Sequence, residues 1–174
     1  MHNNNCVSMS KCHIPNSKYE VIAAIGRRTG QRKKILVIAA YIPPSYTAEE
    51  NKSCIEYLSD TITSLKNRYN DPHIFVGVDF NKRDINKTVK DYPDLRTVQT
   101  GPTRGNAVLD IIATSAHKEL IEAETFPPVE NEDGTPSDHR VVLMCVRMPR
   151  VPSYTVSSCT YFQSDEDSQS AHFR

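Results

Sequence analysis

The sequence reads as α/β of the α+β kind: a mixed, mainly antiparallel sheet with helices on its outer faces. Three observations predict this. Short apolar runs bounded by Pro, Gly, Asn and Asp recur along residues 19–147, as strands do. One stretch instead spaces Ile55, Leu58, Ile62, Leu65 and Tyr69 by threes and fours, the stripe of an amphipathic helix. Acid, amide and histidine groups cluster where apolar runs stop, in Gly77-Val78-Asp79-Phe80-Asn81, Leu109-Asp110-Ile111-Ile112 and Ser137-Asp138-His139. Polar chemistry delivered from several strand ends is how a sheet protein assembles a site.

Taken in order, residues 1–18 form a polar N-terminal segment. Residues 19–28 and 34–42 are strands, and Thr29-Gly30-Gln31 turns them into a hairpin that Pro43-Pro44 stops. The helix follows over residues 48–69, with Thr47 and Glu50 spaced as a capping box and Asn70-Asp71-Pro72 as its end. Residues 73–78 are a buried strand entering the Asp79 loop, and a short helix is expected near residues 85–90. Leu95 to Val98 is a brief strand, and residues 101–105 a turn. Strands follow at 107–114 and 120–126, then a loop from Pro127 to Pro136, then a last strand at 140–147. The domain is thus expected over 19–148, and the Ser/Thr-rich residues 149–174 as a linker or tail.

At 174 residues the chain holds one domain with a real core. Its mean hydropathy is -0.51, and its longest apolar run, Ile35 to Ile42, is far short of the roughly 20 residues of a membrane span. No membrane partner and no signal peptide are expected. Net charge is zero, so bulk electrostatics makes no case for nucleic acid. Residues 1–47 nonetheless carry seven Lys/Arg against one acid, and Arg27, Arg28, Arg32, Lys33 and Lys34 are the densest basic cluster. That cluster reads either as a solvated hairpin tip or as a contact to phosphate backbone. Five irregularly spaced cysteines without Cys-x-x-Cys support neither a disulfide framework nor a zinc ribbon, and a reducing, intracellular setting follows.

The three polar motifs suit metal-assisted hydrolysis of a phosphate ester. The reaction needs a carboxylate to orient water, a polarised group facing the phosphate oxygens, and a second carboxylate fixing the histidine tautomer. Asp110, set between Leu109 and Ile111, is costly to bury unless paired. Bland readings exist for each residue: an Asx turn for Asp79 and Asn81, surface alternation for Asp110, a loop cap for Asp138, edge packing for Tyr41, and solvation for Arg104.

In order and approximate spacing, these motifs resemble the endonuclease/exonuclease/phosphatase superfamily, most nearly the endonuclease domain of non-LTR retrotransposons. The resemblance rests on Tyr41-Ile42-Pro43-Pro44, Val76 to Asn81, Pro102-Thr103-Arg104 before Leu109 to Ile112, and Ser137-Asp138-His139, and it spans about residues 19–147. It implies the C-terminal portion of a four-layer α/β/β/α sandwich and Mg- or Mn-dependent cleavage of DNA. Asp79 would orient water, Asn81 would position Asp79 or the phosphate, and His139, held by Asp110, would contact the scissile phosphate. Tyr41 would bond a phosphate oxygen, Arg104 the nucleic-acid backbone, and Asp138 would lie near the metal. The family's strand-end glutamate, its principal metal ligand, has no counterpart: residues 1–18 contain no Glu, and Glu20 falls too late. The chain alone is therefore expected to be weakly active or inactive. The resemblance further implies a reverse transcriptase domain as companion and the nucleus as setting if chromosomal DNA is cut. A small-molecule or lipid phosphoesterase, a non-catalytic decayed fragment and a DNA-binding module remain as alternatives.

Overall fold

The computed structural model describes residues 7–15, 18–28, 31–81, 94–98, 101–130 and 134–147. The helix expected near 85–90 and the tail from 149 lie outside the described residues. The elements are β1 (Ser8–Lys11), β2 (Glu20–Arg27), β3 (Ile35–Tyr41), α1 (Ala48–Arg68), β4 (His73–Asp79), β5 (Arg96–Val98), β6 (Asp110–Thr114), β7 (Leu120–Glu130) and β8 (Pro136–Val146). Strands β1 to β6 form one sheet in the order β1-β2-β3-β4-β6-β5, and β7 with β8 a second, two-stranded one. Only the β3–β4 pairing is parallel among the described strands. This is the mixed, mainly antiparallel arrangement expected of an α/β sandwich fragment.

The β2–β3 hairpin forms because two alternating apolar runs flank a turn; its pairing runs from Gly26↔Ile35 to Glu20↔Tyr41. The chain then crosses through α1 and returns as β4 beside β3, as a parallel connection requires. Thr47 starts the helix: its Oγ1 accepts the Glu50 N–H at 3.2 Å while Glu50 Oε2 accepts the Thr47 N–H at 2.9 Å. Asn70 and Asp71, both left-handed at φ 56° and 55°, end the turn that follows it.

The helix stripe decides which sheet face becomes the core. Cys54, Leu58, Ile62 and Leu65 pack in one buried cluster with Leu36, Ile38, Ile74, Val76, Val78 and Ile111. Since strand side chains alternate, the intervening residues face the other way. That second face is open, with Ile22 63% and Val37 41% exposed. The β7–β8 ribbon meets the large sheet where β8 reaches β6, and the Arg140 N–H donates to the Thr103 carbonyl at 2.7 Å.

Three elements differ from expectation. No strand is expected before residue 19, yet β1 pairs along β2 from Ser8↔Arg27 to Lys11↔Ala24. Its Ser and Lys content hides it, and an edge strand with both flanks wet can be polar. Gly26 permits the pairing, because a Cβ there would stand 2.2 Å from Met9 Sδ. The strand expected at 107–114 starts only at Asp110, residues 103–107 being taken up by a tight turn. The loop expected from Pro127 to Pro136 is narrowed from both sides, since β7 continues to Glu130 and β8 begins at Pro136. Register shifts between Phe126 and Pro128 and between Pro128 and Glu130 absorb prolines that cannot donate to the ladder.

Candidate active site

The register of the large sheet lines up four polar residues at one end. Glu20 pairs with Tyr41, Tyr41 with Asp79, and Asp79 with Asp110, so β2, β3, β4 and β6 each contribute one member. Directly paired residues share a face, and this row lies on the face turned away from α1. The apolar neighbours Ile42, Val78 and Ile111 point into the core and fix that orientation.

His139 arrives from β8. Its Nδ1 lies 2.8 Å from Asp110 Oδ2, with both side chains about three-quarters buried. With Nδ1–H donated to the carboxylate, Nε2 is the other ring nitrogen, 3.9 Å from Asp138 Oδ1. The Ser137 hydroxyl accepts the His139 backbone N–H at 3.2 Å and shapes the local turn.

Asp79 is held by the loop it opens. Its Oδ1 accepts the Asn81 backbone N–H at 3.0 Å, and Asn81 adopts a left-handed φ of 51° to make that turn. The Asn81 amide donates to the Ile42 carbonyl at 3.3 Å, tying the loop after β4 to the end of β3. Burial first, and the Asp110 charge in addition, hold the Asp79 carboxyl above the usual carboxylate range. The Asn81 N–H and the nearby His139 and Arg104 oppose that rise.

Asp79, Asp110 and His139 form one group whose possible ligand atoms all lie within 4.8 Å of one another. Two carboxylates, one of them partly buried and held above its usual range, suit a divalent cation, which favours oxygen donors and would neutralise that charge. Asp110 Oδ2 is engaged by His139 and Asp79 Oδ1 by Asn81; among the described residues the second oxygen of each carboxylate has no hydrogen bond that would keep an ion from it. Glu20 and Asp138 are outside this group. Asp138 is 62% exposed and forms an ion pair with Arg104, and its Oδ1 stands 3.9 Å from His139 Nε2. Tyr41 lies in the row beside Asp79 and is 38% exposed, open to a ligand.

Thr103 is a member of the site that sequence reasoning gave no role. It is fully buried, and its Oγ1 accepts the backbone N–H groups of Leu109 at 2.9 Å and Asp110 at 3.0 Å. Its carbonyl meanwhile accepts from Arg140, the residue after His139. One threonine thus joins the strand bearing Asp110 to the strand bearing His139. Its signal in the sequence is its place in Pro102-Thr103-Arg104, one of the stretches that carry the resemblance, though nothing there gives the threonine a role of its own.

The basic cluster lies at the opposite end of the sheet from this row, about 20 Å away along the seven residues of β3. Lys33 bonds Asp71 at 2.6 Å, and Lys34 sits 5.2 Å from the centre of the Tyr69 ring. These two lysines serve the end of α1.

The chain has the fold of the endonuclease/exonuclease/phosphatase proteins. It resembles the endonuclease domain of TRAS1, a telomere-specific non-LTR retrotransposon, with a TM-score of 0.61 and 13% identity over 83% of this chain and 70% of that one. An endonuclease/exonuclease/phosphatase from Bacteroides vulgatus gives a TM-score of 0.56 and 14% identity over 74% and 55% of the two chains. The D. rerio TDP2 complexed with single strand DNA product gives 0.53 and 12% over 79% and 66%. The chain therefore spans under two thirds of the length of the latter two. No protein-family model and no curated protein matches the sequence.

Proposed function

We propose that the chain is a divalent-metal-dependent phosphodiesterase that nicks DNA, working slowly because its cation site has few carboxylates. One observation carries this reading: Asp79, Asp110 and His139, drawn from three strands, converge within 4.8 Å on the open face of an endonuclease/exonuclease/phosphatase fold. Asp79 and Asp110 would hold the ion, Mg or Mn, which supplies charge neutralisation at the phosphate oxygens. Asp79, with its carboxyl held above the usual carboxylate range by burial, is suited to orient and deprotonate the attacking water. His139, its tautomer fixed by Asp110, presents Nε2 to a phosphate oxygen. Asn81 positions Asp79 through its backbone, Tyr41 bonds a non-bridging oxygen, and Arg104 meets the nucleic-acid backbone.

DNA is favoured as substrate because TRAS1 is a retrotransposon endonuclease and TDP2 was captured with single strand DNA product. In this reading residues 19–148, with β1 at the sheet edge, are the working domain, and 149–174 a polar tail. The setting is the nucleus, and a reverse transcriptase domain is the companion in a full-length element. The basic hairpin contributes little to substrate binding, since it stands at the far end of the sheet. The test compares turnover of supercoiled plasmid with that of an inositol phosphate, in Mg or Mn and in EDTA. Cation-dependent nicking with no release from the small ester is expected. The reverse preference would move the reading to a small-molecule or lipid phosphoesterase.

A further inference from the structure

Arg104 and Asp138 form an ion pair beside the site, Arg104 on the turn before β6 and Asp138 one residue before His139. The turn is rigid: the Arg104 and Ala107 backbones exchange hydrogen bonds of 3.0 and 2.9 Å, and Gly105 supplies the left-handed φ of 54° that closes it. The preceding residue, Thr103, is the one that anchors Asp110. The guanidinium is therefore aimed by the same scaffold that holds the site, and its charge is felt at Asp79.

Both partners stay open to solvent, with side chains 46% and 62% exposed. An ion pair this exposed adds little to stability, so it can be exchanged at small cost. A phosphodiester oxygen would compete with the Asp138 carboxylate for the same N–H donors. Asp138 also lies outside the Asp79–Asp110–His139 group, although its Oδ1 stands 3.9 Å from His139 Nε2.

We propose that Asp138 is an exchangeable counter-ion for Arg104, holding the guanidinium beside the site until a backbone phosphate of nucleic acid displaces it. Asp138 then lowers affinity for the substrate by competition. The proposal rests on the phosphodiesterase reading for its ligand, and its test is independent of cleavage.

The experiment is binding of a fluorescently labelled DNA oligonucleotide in EDTA by the wild type, Asp138→Asn, Arg104→Gln and the double variant. Both side chains are at the surface, and circular dichroism verifies that the variants fold. Asp138→Asn should tighten binding about three- to five-fold. Arg104→Gln should weaken it, and Asp138→Asn should bring no gain in the Arg104→Gln background. Unchanged or weaker binding by Asp138→Asn overturns the proposal. So does an equal gain in both backgrounds, which would mark a general charge effect, and so does binding by none of the four. If the cycle behaves as expected but no plasmid is nicked, the hydrolysis reading fails and the exchange stands.

Discussion

Thr103 is where the two halves of the site are joined. A buried hydroxyl accepting two backbone N–H groups leaves both without partners if it is removed, each at about 1–3 kcal/mol. Thr103→Val should therefore cost about 2–4 kcal/mol in urea unfolding, and Thr103→Ser much less. Asp79 behaves in the opposite sense. Its folded-state carboxyl titrates above its unfolded value, so ionising it disfavours the fold. The penalty is full above the folded pKa, fades as pH falls through it, and is gone below about 3.9, where both states are protonated. In EDTA, Asp79→Asn should raise Tm at pH 7, with the gain vanishing in acid, and calorimetry across pH reads it directly. The acids and the histidine were legible in the sequence because charges interrupting apolar runs demand an explanation. The role of Thr103 was not: Pro102-Thr103-Arg104 marks the stretch, but what the hydroxyl holds becomes visible only where β6 and β8 close around it.

At the scale of elements, α1 was the most legible, because period, cap and stop all agree. Thr47→Ala should cost about 1 kcal/mol in thermal or urea unfolding. The Glu50 carboxyl sits below its usual range, chiefly through the Thr47 backbone N–H. Its stabilisation is thus present above the unfolded pKa and is lost as pH falls through the folded one. Strand β1 was invisible because its pairing, not its composition, makes it a strand: Gly26 leaves space for Met9 and the β2 backbone supplies the hydrogen bonds. The ribbon was read too short because Pro127, Pro128 and Pro136 look like loop residues. Register shifts place two of them within a long antiparallel pair at no loss of ladder bonds that proline could have made.

Across the whole molecule, the large sheet separates two chemistries along its strands. One end carries Glu20, Tyr41, Asp79 and Asp110, and the other the basic hairpin beside the end of α1. Alternation in β3 then sorts faces: Leu36, Ile38 and Ala40 go to the helix, while Val37 and Tyr41 go to the open side. Linear sequence showed the basic cluster as a candidate for phosphate contact; only the register shows that it lies a strand length from the site. In the proposed function Asp79, Asp110 and His139 together hydrolyse DNA phosphodiesters with a divalent cation. The most direct measurement is the initial rate of supercoiled-plasmid nicking in Mg by the wild type and His139→Ala, with both confirmed folded. Slow, EDTA-sensitive nicking that falls about a hundred-fold or more in His139→Ala is expected. Equal rates in the two proteins, or nicking that persists in EDTA, would contradict it.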